Sequence, residues 1–147
     1  MKRSAFTMIE LIFVIVILGI LASIATTKLI ATRDDAVFTK GKADISAIRS
    51  SIATTRSIDI MQGNPNFPAT LTDPLRDGLF NEVLDYPVKA AVGGGSGWAQ
   101  GADDVYFFTV DGTTVEFQYD NTSGIFTCVN FNAANSAEDK LCTKLAQ

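Results

Sequence analysis

The chain has 147 residues, of which 47% are hydrophobic and 19% charged, a composition that suits one globular domain and excludes a disordered chain. Its 12 basic and 16 acidic residues give a formal net charge of −4, which disfavours a generally basic nucleic-acid-binding surface. Histidine is absent, so Ser-His-Asp and Cys-His catalysis and nearly all zinc enzymes are removed, and the balance moves toward a membrane-tethered binding or structural protein.

The apolar residues are unevenly spread. From Leu11 to Thr27 no residue is charged, whereas Lys28 to Gln147 reads as a water-soluble domain. Lys2 and Arg3 precede the apolar run on a short flank, which places the N-terminus in the cytoplasm and everything after about Lys28 outside that membrane. A helix over Leu11–Thr27 spans roughly 26 Å, and extending it back to Phe6 gives about 33 Å, enough to cross a bilayer. The only charge within the longer span is Glu10, for which the sequence offers no partner in its own segment. Three readings of this segment follow. It is an uncleaved signal anchor, or a signal peptide cleaved after Ala25 behind the small residues Ser23 and Ala25, or a helix whose basic leader Met1–Ala5 is removed so that Phe6 becomes the N-terminus.

The run Ala5 | Phe6-Thr7-Met8-Ile9-Glu10-Leu11, continuing IFVIVILGILA, resembles the processing site and first helix of type IV pilins and type II secretion pseudopilins. In that family a prepilin peptidase cuts before an aromatic residue and N-methylates it, and the matching bond is Ala5–Phe6. The family's glutamate at the fifth residue of the trimmed chain matches Glu10, and Thr7, Leu11 and Gly19 also fit. The resemblance covers about 25 residues. The chain departs from the pattern in carrying Ala5 where glycine is usual before the cut. It also has Thr27 where many members have proline, so the helix need not unwind there. The resemblance implies assembly roles for Glu10, Thr7 and Gly19, with the Glu10 carboxylate compensating the Phe6 α-ammonium group of a neighbouring subunit and setting the stagger between them.

Residues 28–62 contain no proline and one glycine. Phe38, Gly41, Ile45, Ile48 and Ile52 recur at steps of three and four and form the apolar stripe of an amphipathic helix, with the charged residues mostly off it. Gly63-Asn64-Pro65 ends the helix, which is expected over 6–62 at roughly 86 Å, longer than a small globular domain holds. Residues 63–104 carry all four prolines and the Gly93-Gly94-Gly95-Ser96-Gly97 cluster and read as an irregular loop region, with a helical turn at Leu79–Leu84. The glycine cluster lacks the Lys-Ser/Thr of a phosphate-binding loop. Val105–Val110, Thr113–Tyr119 and Ile125–Asn130 read as three strands, joined by turns at Asp111-Gly112 and Asp120–Gly124. The fold class is therefore α+β: a long N-terminal helix, membrane-embedded in its first half (6–27) and amphipathic in its second, against a three-stranded antiparallel sheet, with 105–147 forming that sheet and its C-terminal tail. The aromatics of the strands read as core, and Trp98 as the more exposed aromatic.

Cys128 and Cys142 lie in an oxidising compartment on this topology where the host has one. A bridge between them would tie the tail to the last strand, as type IV pilins often do; two free thiols are the alternative. Asp103, Asp104, Asp111 and Asp120 near the strand ends are candidates for calcium, which the major pseudopilins use, although Asp111 and Asp120 are also explained as turn formers. No other cofactor and no catalytic residue is expected. The resemblance implies a prepilin with leader 1–5. Its implied partners are copies of itself, other pilin-like subunits, the prepilin peptidase, and an inner-membrane platform with its ATPase, with no direct nucleic-acid site. Its implied place is the inner membrane, then a periplasmic or extracellular filament serving secretion, twitching or DNA uptake. The rival reading is a monomeric anchored or secreted binding module using the Gly93–Trp98 loop.

Overall fold

In a computed structural model, residues 7–102, 104–129 and 136–146 are described, with residues 26–31 described in backbone only. The chain divides into two compact units, Met1–Asp35 and Ala36–Gln147. Helix α1 runs Met8–Met61. It closes with the αL glycine that the Gly-Asn-Pro signal predicts. Gly63 has φ 88°, its N–H donates to the Ile60 carbonyl at 3.0 Å, and the Asn64 N–H donates to the Asp59 carbonyl at 2.8 Å. These paired bonds satisfy carbonyls that a helix end otherwise leaves open.

In the Ala36–Gln147 unit the sheet has four strands, not three: β1 (Gly97–Gln100), β2 (Val105–Val110), β3 (Thr113–Asp120) and β4 (Ile125–Val129), in the antiparallel order β1-β2-β3-β4. The added strand lies within the region read as irregular. Gly-Trp-Ala-Gln has little strand propensity, and its extended form is fixed by pairing with β2, Trp98 opposite Phe108. Between β2 and β3 the Asp111-Gly112 turn has both residues at positive φ, 49° and 68°, which matches the twist of a tight hairpin.

Alternation places Tyr106, Phe108, Val110, Val115, Phe117, Tyr119 and Phe126 on one buried face. Ile45, Ile48 and Ile52 of α1 belong to the same core, so the apolar stripe does cover the sheet. Gly41 continues that stripe for a steric reason. A Cβ there would overlap the Phe108 ring, so the helix approaches the sheet only because this position has no side chain.

Trp98 is 1% exposed, which corrects the expectation of an exposed aromatic. It packs among Phe80, Phe108, Phe117 and Phe126 with ring centroids 4.9–6.1 Å away, and its indole N–H donates to Asp44 of α1 at 3.1 Å.

The segment between α1 and β1 is packed by its own side chains. Leu71, Leu79, Phe80 and Val88 enter the core, and a bridge pairs Leu79 with Val88. Buried Asn81 stands in for absent secondary structure. Its amide nitrogen lies 3.0 Å from the carbonyls of Asp73, Arg76 and Gly78, and its oxygen accepts the Asp73 N–H at 2.7 Å. The turn expected at Leu79–Leu84 is a single one, with the Leu84 N–H donating to the Phe80 carbonyl at 2.9 Å.

The C-terminal tail contains a second helix, α2 (Ala137–Ala146), capped by Ser136, whose hydroxyl accepts the Asp139 N–H at 3.1 Å. It packs on β3 and β4 through buried Cys142 and Leu145. Cys142 is disulfide-bonded to Cys128, 14 residues earlier on β4. The bridge therefore docks a helix rather than closing a simple tail. A loop of this size contributes about 3 kcal/mol on the chain-entropy account. Replacing both cysteines by serine is expected to lower the denaturation free energy by about that amount, read from urea titrations with and without reductant. If reductant leaves the wild-type midpoint unmoved, the bridge does not form in solution.

Candidate functional site

The Met8–Ala25 stretch of α1 is long and apolar enough to cross a membrane by length and composition. Its large side chains are exposed throughout, from Ile17 at 40% to Met8 at 80%. Isoleucine, leucine, valine and phenylalanine line every side of the helix, as a lipid-facing or subunit-facing helix requires. Gly19 lies within it, and a Cβ there would meet no atom within 4 Å. Within its own chain this glycine relieves no contact, so any role in close approach concerns a neighbouring molecule.

The head of this helix holds an arrangement that sequence reading missed. Glu10 does have a partner in its own segment. Its Oε2 accepts the Thr7 backbone N–H at 2.9 Å and the Thr7 hydroxyl at 2.8 Å, and Thr7 Oγ1 accepts the Glu10 N–H at 3.3 Å. Thr7-x-x-Glu10 is thus a capping box, which satisfies backbone donors that the first helical turn leaves open. It also places a carboxylate at the positive end of the helix dipole. The signal was present as a threonine three residues before a glutamate at the start of an apolar run. Ala5 and Phe6, the expected cleavage pair, lie outside the described residues.

The other candidates are dispersed. Asp103 lies outside the described residues. Among the described residues, no three Asp, Glu, Cys or His side chains come together to hold a metal ion. Asp104 accepts the Leu71 N–H at 3.4 Å, and Asp111 occupies its hairpin turn. Asp120 accepts the Ser123 hydroxyl at 2.7 Å and the Thr122 N–H at 2.9 Å, and these bonds hold its carboxyl below the usual range. Asp104 and Asp120 flank an open cleft shared with Thr72, Gln100, Gln118 and Tyr119. The two tyrosines beside it are structural. Burial pushes Tyr106 and Tyr119 each up to about 12, with Asp104 adding to the rise. Tyr106 is hydrogen-bonded to Thr72 at 3.0 Å, and Tyr119 donates to the Pro68 carbonyl at 2.9 Å. Neither is poised for proton transfer near neutral pH. The Gly93–Trp98 loop, for its part, turns its aromatic inward to Asp44 and the core.

Residues 1–26 match the family described as the prokaryotic N-terminal methylation motif. The chain is also similar to the type II secretion system core protein G of Pseudomonas aeruginosa, 41% identical over 51 residues, or 35% of this chain and 36% of that protein. The chain therefore matches about a third of the length of this curated relative. No solved structure matches it. The motif and the relative support a likeness to the pilin and pseudopilin family.

Proposed function

With a prepilin-type methylation motif at its head, this chain is, we propose, a structural subunit of a filament of the type IV pilus or type II secretion pseudopilus class. It is made as a prepilin anchored in the inner membrane by α1, with residues 1–5 cytoplasmic and the Ala36–Gln147 unit periplasmic. A prepilin peptidase removes Met1–Ala5 and methylates Phe6. A membrane platform and its ATPase then draw subunits into a fibre whose core is the packed apolar helices. The observation that carries this reading is the exposed Met8–Ala25 surface directly behind the Thr7–Glu10 capping box, within the motif. An apolar surface of this extent has to be covered by lipid or by other copies.

Trimming at Phe6 adds an α-ammonium group next to a helix start that already holds a carboxylate. Neither charge is stable alone in low dielectric, and pairing between neighbours offsets both. The similarity to a secretion pseudopilin favours a secretion filament over twitching or DNA uptake.

Mass spectrometry of the mature N-terminus, from cells with the native peptidase, tests this reading. A chain beginning at Phe6 with one added methyl is expected. A chain retaining Met1, or one beginning at Thr26, overturns the filament reading.

A further inference from the structure

Arg56 stands apart from the other cations of the Ala36–Gln147 unit that make contacts. Lys40 pairs with Asp44, Arg76 pairs with Glu82, and Arg49 donates to the Phe126 carbonyl. Arg56, by contrast, has a buried Nε with no hydrogen-bond partner. Its guanidinium carbon lies 3.9 Å from the centroid of the Phe67 ring. That ring is itself fixed, because Gly124, at φ 73°, lets it lie against the β3–β4 turn where a Cβ would collide with it. A cleft of about 410 Å³ opens here, lined by Arg56, Asn66, Phe67, Asn121 and Thr122 among others, and no carboxylate lines it.

The chemistry of this cleft is selective. An N–H buried without a partner is costly, and an aromatic face holds the guanidinium plane in place without using any of its donors. Nε is closed off, so what Arg56 offers the cleft is the pair of terminal Nη nitrogens, held as a fork that a carboxylate fills with two parallel bonds. The chain also carries the complement. Its acidic residues outnumber its basic ones 16 to 12, and exposed carboxylates such as Asp77 and Asp85 make no ion pair among the described residues.

We propose that the Arg56 cleft receives an acidic side chain of a second copy of this chain. The proposal rests on the filament reading in one respect: the apolar head of α1 is what brings copies side by side. The bond would join subunits outside the membrane. It would be sensitive to salt at the cleft mouth, unlike the buried helix core.

Arg56→Lys tests this in the full-length chain, expressed with its own assembly machinery and treated with a carbodiimide that joins amines to carboxylates in contact. Filaments are scored separately by electron microscopy. The expected result is a dimer on denaturing gels whose linked peptides join the introduced amine to an Asp or Glu of this same sequence. Three results overturn the proposal: cross-links through native lysines but none through the introduced one, a link only within one chain, or a link to a different protein. Filaments without that link leave the subunit reading standing and remove the cleft. The link without filaments does the reverse. A second variant, Arg56→Glu, is expected to lose filaments while keeping the wild-type circular dichroism spectrum; wild-type filament yield from it overturns the proposal.

Discussion

Trp98→Ala is expected to be the most damaging single truncation in the Ala36–Gln147 unit, at about 3–5 kcal/mol. The indole is 1% exposed and sits where four elements meet. It lies on β1, packs tilted against Phe108 of β2 and edge-on to Phe117 of β3, and donates to Asp44 of α1. Truncation leaves a cavity that the rigid rings around it cannot collapse to fill, and it strips Asp44 of a partly buried donor. β1 itself is an edge strand of four residues, and Trp98 is its one buried side chain. Trp98→Phe is the milder change, since it keeps one ring in the core while losing the N–H and the rest of the indole. It is expected to cost about 1–2 kcal/mol. Urea titration followed by circular dichroism measures both variants. A loss below about 1 kcal/mol for Trp98→Ala would mean that the core relaxes around the gap.

The importance of Trp98 was not visible in the sequence, and the reason is physical. Its burial depends on Asp44, 54 residues earlier, and on strand pairing with β2. No local pattern encodes either contact, and the surrounding glycines read as a loop. The legible features were those whose cause is local. Steps of three and four from Phe38 to Ile52 gave the helical stripe, the aromatic and β-branched runs Val105–Val110 and Thr113–Tyr119 gave two strands, and Asp111-Gly112 gave the turn between them.

Two further features were local but passed unread. Ser136 three residues before Asp139 announces α2, and Thr7 three residues before Glu10 announces the start of α1. Each is the same capping signal. The Arg56–Phe67 contact belongs with Trp98, because it forms only after the chain has reversed at Gly63.

The capping box bears on the second large effect. Glu10→Ala is expected to abolish filament assembly, yet that result alone would not identify the cause, because Glu10 has two separable roles. Its oxygen caps the Thr7 N–H and hydroxyl, and its charge is what the filament reading pairs with the Phe6 ammonium group of a neighbour. Loss of a helix cap costs about 1 kcal/mol, which shortens a helix by a turn at most. Loss of a charge that compensates a buried ammonium costs several times that, about 3–5 kcal/mol. Glu10→Gln distinguishes the two, since its amide oxygen can still accept from Thr7 while the charge is gone. The expectation is that Glu10→Gln fails to assemble as completely as Glu10→Ala. Thr7→Val, which removes the hydroxyl but keeps the carboxylate, should still assemble with somewhat reduced yield. Shearing filaments from cells and quantifying the subunit measures all three. Wild-type yield from Glu10→Gln would show that the carboxylate serves its own helix and not its neighbour. The stagger between subunits would then have to be set by contacts outside the apolar core, where the Arg56 cleft is the first to test.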